Sequence, residues 1–481
     1  MIKYNRVLLI KFYTKVGYGS RRPPVGLGYI AEALDREGIP FEVVDCDLGY
    51  TLDDILDRIR MFQPDLVGIS MVTLGFVTSY EMVRAIKQES DCDVILGGPH
   101  ISTLREKVLE ECECVDYGVI GEGDQTIVDL CRGKDLESIT GLIYRKDNKV
   151  VCTRIREPIH DIDSLGFPRY KSFEMEKYFG YGSEIGIVTS RGCPYGCTFC
   201  AVNLIMGSRI RLRTAEHVAN EFAYWYEKGY RRFVILDDNF SHNRERVFLI
   251  CDALEVRSIQ NIQISLANGL RADKTDSEML KRLRDVGAYE IQIGVESASD
   301  RVLKVIKKGE PLDRIEQAVK ESIDVRFEVG TNFLIGSIGE TYEDVQASFH
   351  FSLKYPLARS YFFNIIPYPG TRLYQQLEEL DYMRSTPEEY LGSVQQNQNQ
   401  PVFETPELSL AQRQKLIRQS QKISEKVRRR FLERKLKRFW IFSKVIAFFA
   451  AWHVTEPILK RNKFINTKLL PGYYRLHRNR K

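Results

Sequence analysis

Ile185-Gly186-Ile187-Val188-Thr189-Ser190-Arg191-Gly192-Cys193-Pro194-Tyr195-Gly196-Cys197-Thr198-Phe199-Cys200 runs from a β-branched stretch straight into three thiols spaced four and three residues apart. Ile185 to Ser190 predicts a strand, and the Gly and Pro residues after it predict a loop. The thiols therefore stand at a strand's C-terminal end. Downstream the same alternation recurs, with strands expected near Arg232 to Asp237, Ile262 to Asn268, Glu290 to Glu296, Glu328 to Ile335 and Tyr361 to Ile366. Helical patterns separate them. Six β/α units over 184–394 predict a partial or complete barrel whose site gathers at the strand C-termini.

Working back toward the N-terminus, residues 1–150 repeat a shorter version of this pattern. Strands are expected at Arg6 to Lys11, Glu42 to Asp45, Leu66 to Ser70, Val94 to Gly97 and Val115 to Ile120. Amphipathic stretches such as Leu27 to Glu37, Leu52 to Met61 and Thr78 to Glu89 lie between them, so the alternation argues for a doubly wound parallel sheet covered on both faces. Ligands in such a fold bind at the loops after the strands: here Lys15 to Pro24, Ser70 to Thr73, Gly97-Gly98-Pro99-His100 and Gly121-Glu122-Gly123. A hairpin, Gly141 to Tyr144 with Lys149 to Thr153, and a Pro-containing connector over 151–183 join the two units.

The chain has 481 residues, 43% of them hydrophobic and 11% aromatic, which excludes a disordered or fibrous protein. Ten Cys in this length are too few for a disulfide scaffold, so a reducing, cytoplasmic setting is expected, where clustered cysteines mean metal or catalysis. Charge is unevenly spread. Residues 411–481 hold 21 Lys and Arg against 3 Asp and Glu, leaving 49 basic and 62 acidic residues in the first 410. The fold class is thus α/β, with a doubly wound N-terminal domain, a (β/α)6 barrel and a basic helical tail over 395–481.

Three clustered thiolates can ligate three irons of a 4Fe-4S cube and leave the fourth open, whereas structural zinc wants a fourth protein ligand. Cys193-x3-Cys197-x2-Cys200, with Phe199 before the last Cys, resembles the signature of the radical S-adenosylmethionine (SAM) enzymes. The resemblance implies a cluster on these cysteines. It also implies a SAM site in which Asp238 holds the amino group, Glu296 the ribose hydroxyls, and the backbone around Gly336 passes beside adenine. The competing reading of Asp237, Asp238 and Asn239, and of Glu296, is as caps of the following helices.

Arg22-Pro23-Pro24-Val25-Gly26-Leu27-Gly28-Tyr29, Gly68-Ile69-Ser70, Gly97 to His100 and Gly121 to Gly123 together resemble the cobalamin-binding domain fused to one large radical SAM class. The resemblance implies cobalamin contacts from Ser70, Gly97, Gly98, His100, Gly121, Glu122 and Gly123. The pattern D-x-H-x-x-G, which supplies a lower cobalt ligand in other cobalamin domains, is absent from the sequence. Cobalamin without a protein His on cobalt is therefore expected, with His100 bonding a ligand or backbone. The class implies methylation of an unactivated carbon in a small-molecule or lipid-linked substrate, with an external one-electron reductant. Ring closure, oxidation and rearrangement use the same parts and stand as alternatives. A non-catalytic cobalamin sensor would have no reason to keep the cysteine loop.

Phe439 to Val454 is apolar with one Lys and is flanked by basic clusters. Its sixteen residues fall short of the roughly 20 that span a bilayer. The pattern suits an interfacial helix making peripheral membrane contact through 428–461, or equally a helix packed on the barrel. No nucleic-acid partner is expected, because the apolar run is unsuited to phosphate contact.

Overall fold

The computed structural model of the protein describes residues 3–12, 22–181, 184–393 and 399–436. The N-terminal sheet consists of β1 (Val7–Lys11), β2 (Phe41–Asp45), β3 (Leu66–Ser70), β4 (Asp93–Gly97), β5 (Tyr117–Val119), β6 (Leu142–Lys146) and β7 (Lys149–Cys152). Their order in the sheet is β2-β1-β3-β4-β5-β6-β7. The first five are parallel, and alternate residues feed two cores: Leu8 and Ile10 enter one, Val7 and Leu9 the other. Burial of both faces accounts for the unbroken apolar runs in these strands. The antiparallel pair β6 and β7 is joined by Asp147-Asn148, both at positive φ (49° and 59°), the geometry a two-residue hairpin loop demands of Asp and Asn.

The second sheet contains β8 (Ile185–Ile187), β11 (Arg232–Ile235), β12 (Gln263–Leu270), β13 (Ala288–Glu296), β14 (Glu328–Ile335) and β15 (Arg359–Asn364), with a small ribbon of β9 (Ser190–Arg191) and β10 (Arg211–Leu212) set apart from it. All six strands run parallel in the order β15-β14-β13-β12-β11-β8, and β8 and β15 do not pair with each other, so the barrel is partial. Ile291, Ile293, Val329 and Phe333 pack its convex face against the surrounding helices.

One expected strand is broken. Ile185 to Ser190 does not continue as a single element: β8 ends at Ile187 and Ser190 belongs to the ribbon. The buried Asp237 carboxylate accepts from the Thr189 backbone N–H (2.6 Å) and the Ser190 hydroxyl (2.6 Å), turning the chain away from the sheet.

The helix Leu410–Leu436 covers β15. Leu416 and Ile417 join Ile335, Val345 and Phe349 in a separate small core, and Phe362 packs against it. Its cations are used on the body: Arg430 donates to the Leu353 carbonyl (3.2 Å), Arg434 to the Leu357 carbonyl (3.0 Å), and Lys435 lies 2.9 Å from Glu328. Over 428–436 the helix packs on the barrel, one of the two readings the sequence left open. Phe439 to Val454 and Lys460-Arg461 lie outside the described residues. No described helix is long and apolar enough to cross a membrane.

Candidate active site

The cysteine loop follows β9 and is tied down at several points. Gly192 has φ 88°, and a Cβ there would stand 2.6 Å from the Arg209 carbonyl oxygen, so only glycine fits. The Thr198 N–H reaches Ile306 (3.0 Å), and the Thr198 carbonyl accepts from Leu373 (2.8 Å). The Arg271 guanidinium lies 3.4 Å over the Tyr195 ring and is held by the Lys308 carbonyl (2.9 Å) and Asp273 (2.9 Å). Cys193 and Cys197 are half-buried and Cys200 is exposed, all as free thiols. The surrounding protein raises all three, Cys197 to about 11.

Among the described residues no three His, Cys, Asp or Glu converge on a single-ion site. Three thiolates in one loop can take separate corners of a 4Fe-4S cube, and Cys200 is the most exposed of the three.

At the end of β11, Asp237 is consumed by Thr189 and Ser190, while Asp238 is exposed toward the loop, where its charge acts on Cys193 and Cys200. Protein crowding around the carboxyl, and then the Asp237 charge, push Asp238 up to about 6. Of the three cap candidates, Asn239 alone takes a cap position, on the short 3-10 helix Phe240–His242 and without a side-chain bond, while the next α-helix is capped by Asn243, whose side chain accepts from Arg246 (2.9 Å). Asn239 is buried, and neither of its amide atoms has a partner.

At the end of β13, Glu296 has φ 61°, an uncommon conformation for a residue with a Cβ. The turn folds its carboxylate back over Gly294, where a Cβ would stand 2.6 Å from Glu296 Oε1 and 3.0 Å from Lys308 Nζ. Lys308 lies 3.1 Å from Glu296 and 3.4 Å from the buried Glu310. Burial lowers the Lys308 ammonium, yet the carboxylates outweigh it and hold the group above its ordinary value. Ser299, not Glu296, stands at the cap position of the next helix. Lys308 escaped the sequence reading because only the fold shows that this cation meets Glu296.

Gly336, at φ 99°, ends β14 between two buried charges. Glu340 accepts from the Gly336 (2.6 Å) and Ser337 (3.2 Å) N–H groups. From the tail helix, Arg413 fills the space a Gly336 Cβ would need and donates to the Ile365 (2.8 Å) and Phe403 (3.2 Å) carbonyls. Burial pushes Glu340 up to about 7 and Arg413 down to about 9.

The N-terminal loops meet expectation in their backbone and depart from it in their side chains. Gly97 opens on free space, and Gly98 at φ 98° is pressed against Met71, whose carbonyl oxygen would be 2.8 Å from a Cβ. Ser70 is half-buried beside them, and the Gly121 N–H donates to Ser102 (3.0 Å). Gly123 precedes the helix Asp124–Cys131. Most of the expected first loop, residues 15–21, is outside the described residues.

Glu122 is engaged by the protein itself. Its carboxylate, 6% exposed, takes Arg191 at 2.6 Å, Arg211 at 2.6 Å and the Ile159 N–H at 2.8 Å. Burial alone would raise this carboxyl, but the two guanidiniums outweigh it and hold Glu122 below the ordinary carboxylate range. It clamps the N-terminal domain to the β9–β10 ribbon beside the cysteine loop. His100 is turned into the core, with Nδ1 buried and unpartnered. Its ring is 0% exposed, stacks on Phe76 (5.1 Å) and meets the Tyr80 hydroxyl through Nε2 (2.9 Å). Desolvation lowers it to about 3, as a neutral core imidazole requires.

The strand ends of the two halves face each other. Thr103 packs where a Gly370 Cβ would stand (2.7 Å), Leu204 lies 3.4 Å from the same point, and Gly121 approaches the Ile205 carbonyl at 3.7 Å.

The descriptions of two families match the chain in this order: a B12 binding domain at residues 16–131 and the radical SAM superfamily at 187–352. An uncharacterized methyltransferase of Pyrococcus horikoshii is 34% identical over 365 residues, covering 74% of this chain and 79% of its own length. The anaerobic magnesium-protoporphyrin IX monomethyl ester cyclase of Cereibacter sphaeroides is 24% identical over 374 residues, covering 74% of this chain and 60% of its own. Among solved structures, the cobalamin-dependent SAM radical enzyme OxsB with aqua-cobalamin and SAM bound superposes at a TM-score of 0.74 with 15% identity, over 99% of this chain and 76% of that one. The radical SAM methyltransferase TsrM from Kitasatospora setae, with cobalamin and a 4Fe-4S cluster bound, superposes at 0.68 with 20% identity, over 80% and 76%. Both halves are matched in the order in which the fold sets them, and a relative follows the chain across their junction: the protein is an enzyme that belongs to the cobalamin-dependent radical SAM methyltransferase-like family.

Proposed function

We propose that the protein transfers a methyl group to an unactivated carbon of a small molecule held in the barrel. The observation that carries this reading is the opposition of the glycine-lined strand ends of the N-terminal domain to the cysteine loop and barrel mouth, with Thr103, Leu204 and Gly370 in contact. When bound, the cluster and SAM supply a carbon-centred radical, and cobalamin supplies a transferable methyl group.

The chain's own residues bind, orient and exclude water. Cys193, Cys197 and Cys200 hold the cluster irons. Asp238 takes the SAM ammonium through a charge-assisted bond, with the unpartnered amide of Asn239 beside it. Glu296 accepts from the ribose hydroxyls, and Lys308, fixed between Glu296 and Glu310, supplies the cation for the SAM carboxylate. Gly336 lets the backbone approach adenine. Ser70, Gly97, Gly98, Gly121 and Gly123 would offer cobalamin backbone and shape, and the burial of His100 supports a reading without a protein His on cobalt. The Glu122 clamp fixes one half against the other. An external one-electron reductant is required.

The test is anaerobic reconstitution with iron, sulfide and hydroxocobalamin, followed by reduction and SAM turnover. Methyl transfer predicts both 5′-deoxyadenosine and S-adenosylhomocysteine, the second because cobalt must be remethylated. Formation of 5′-deoxyadenosine alone would point instead to ring closure, oxidation or rearrangement. Absence of both refutes the radical reading.

A further inference from the structure

The SAM grip proposed for the barrel takes one of its supports from an element outside the six-stranded sheet. Arg413 stands in the first turn of the helix Leu410–Leu436, and its side chain reaches the C-terminal ends of two strands. It donates to the carbonyl of Ile365 (2.8 Å), just past β15, and the Ile365 N–H donates to the Ile335 carbonyl (3.1 Å) at the end of β14. Next in the chain is Gly336. A Cβ on that residue would collide with the guanidinium, 2.7 Å from Nη1 and closer still to Nε, so Arg413 lies directly against the Gly336 backbone. Glu340 meanwhile holds the Gly336 and Ser337 N–H groups. The positive φ of Gly336 is thus kept by two side chains, one from its own loop and one from the tail.

Packing alone does not call for this cation. Arg413 is 1% exposed and Glu340 0%, and a buried ion pair is often no more stabilising than apolar side chains of similar volume. The helix dipole also opposes a cation near an N-terminus. The tail has other anchors: Leu416 and Ile417 fill the small core, and Arg430, Arg434 and Lys435 hold the far end. Nor are the two charges arranged for the best mutual bond. Glu340 spends one oxygen on the loop N–H groups and Arg413 its terminal nitrogens on carbonyls, while Glu340 Oε1 and Arg413 Nε have no partner. What both hold is backbone at the mouth of the barrel.

We infer that Arg413 is a positioning residue for SAM: from the tail helix it backs the Gly336 turn and fixes the backbone that adenine packs against. The inference rests on the proposed contact between Gly336 and adenine, and adds that the SAM site is incomplete until the tail helix docks. Asp238 and Lys308 take the ammonium and carboxylate at other strand ends, so Arg413 acts on the nucleoside part of the ligand alone.

The experiment uses full-length protein reconstituted with its cluster. Calorimetry gives the affinity for SAM and for methionine, which carries the same ammonium and carboxylate without the nucleoside. Iron content and the urea midpoint are measured on the same preparations. Arg413→Met removes the charge and the planar fork, and should weaken SAM by about ten-fold while methionine affinity and iron content stay unchanged. In turnover, KM for SAM should rise by that factor with kcat retained, the pattern of lost binding common to ground and transition state. Arg413→Lys keeps a cation in place and should limit the loss to about three-fold; it carries the test if the Met variant does not fold. Gly336→Ala should weaken SAM by itself, and adding Arg413→Met should weaken it no further, because changes that act through one backbone position do not add.

Unchanged SAM affinity in a folded Arg413 variant overturns the inference. So does an equal loss for SAM and methionine with a lowered urea midpoint, which would make Arg413 a clasp for the whole barrel, and so do additive losses in the double variant. Wild-type protein that fails to bind SAM, or Gly336→Ala with full SAM affinity, would instead refute the underlying placement of adenine.

Discussion

At the end of β4 the chain shows Gly97 to open space and locks Gly98 against Met71, whereas at the end of β13 it folds Glu296 and Lys308 over Gly294. Both are C-terminal strand ends in parallel sheets, and both face the same inter-domain space. The first offers backbone and room, and the second offers fixed charge. On the proposed function, the difference follows from what each half would hold. A large, rigid cofactor is positioned by shape across many small contacts, so charged or titratable side chains at those loops are better spent inside the protein, as Glu122 and His100 are. A small zwitterion is oriented by its ammonium, carboxylate and hydroxyls, and each needs a partner of matched charge.

The strongest challenge to this contrast is removal of the cysteine loop's chemistry. Changing Cys193, Cys197 and Cys200 together to Ala should abolish the brown chromophore and all 5′-deoxyadenosine formation while cobalamin still binds. Loss of cobalamin in the same protein would show that the halves do not bind their cofactors separately.

Next is Glu122→Gln, which leaves Arg191 and Arg211 buried without their carboxylate. Breaking such a site costs about 3 to 5 kcal/mol, read as a lower urea midpoint. A cobalamin contact at Glu122 would instead lower cofactor affinity and leave the midpoint alone. The pH dependence has a definite sign. The folded carboxyl titrates below its unfolded value of 4.5, so its contribution is complete above that pH and is lost as pH falls through the lower folded value. The variant should lack this part of the acid limb.

Glu296→Gln is milder, removing one charge-assisted bond worth about 1.5 to 3 kcal/mol, or about ten- to a hundred-fold in SAM affinity. Asp238→Asn should behave alike, and cluster iron content should be unchanged in both. The smallest effect on the fold is expected for Gly97→Ala, because no atom lies within 4 Å of the added methyl. Its apo-protein stability should move by no more than about 0.5 kcal/mol while cobalamin affinity falls. Undiminished cobalamin binding would place the cofactor away from this loop.

Where the sequence could be read, the information was local. β3 and β14 match expectation at both ends, since alternation and turn residues within a few positions define a strand. The cysteine loop was legible for the same reason. What escaped depended on partners remote in sequence. Ile185 to Ser190 looked continuous because Asp237, which diverts it, comes nearly fifty residues later. Glu122 looked like a ligand-binding acid because Arg191 and Arg211 lie 69 and 89 positions away. His100 sat in a glycine-rich loop by sequence, yet the helix that begins there turns its ring toward Tyr80. The tail's cations suggested an exposed surface, and periodicity gave no sign that Arg413 would be drawn fully inside.

The docking of Leu410–Leu436 also sets a timetable. Lys435 closes on Glu328 across 107 positions, and Arg413 reaches back to Ile365. Remote contacts of this kind assemble late. At a synthesis rate of about 5 to 20 residues per second, roughly 5 to 20 seconds separate the emergence of β14 from that of its last clasp. From its own emergence until the helix docks, the outermost strand β15 waits as a sheet edge with Phe362 not yet covered by Leu416 and Ile417, the condition under which nascent chains associate with one another. Chaperone demand for this protein should therefore peak between the emergence of β15 and that of the helix Leu410–Leu436 that covers it.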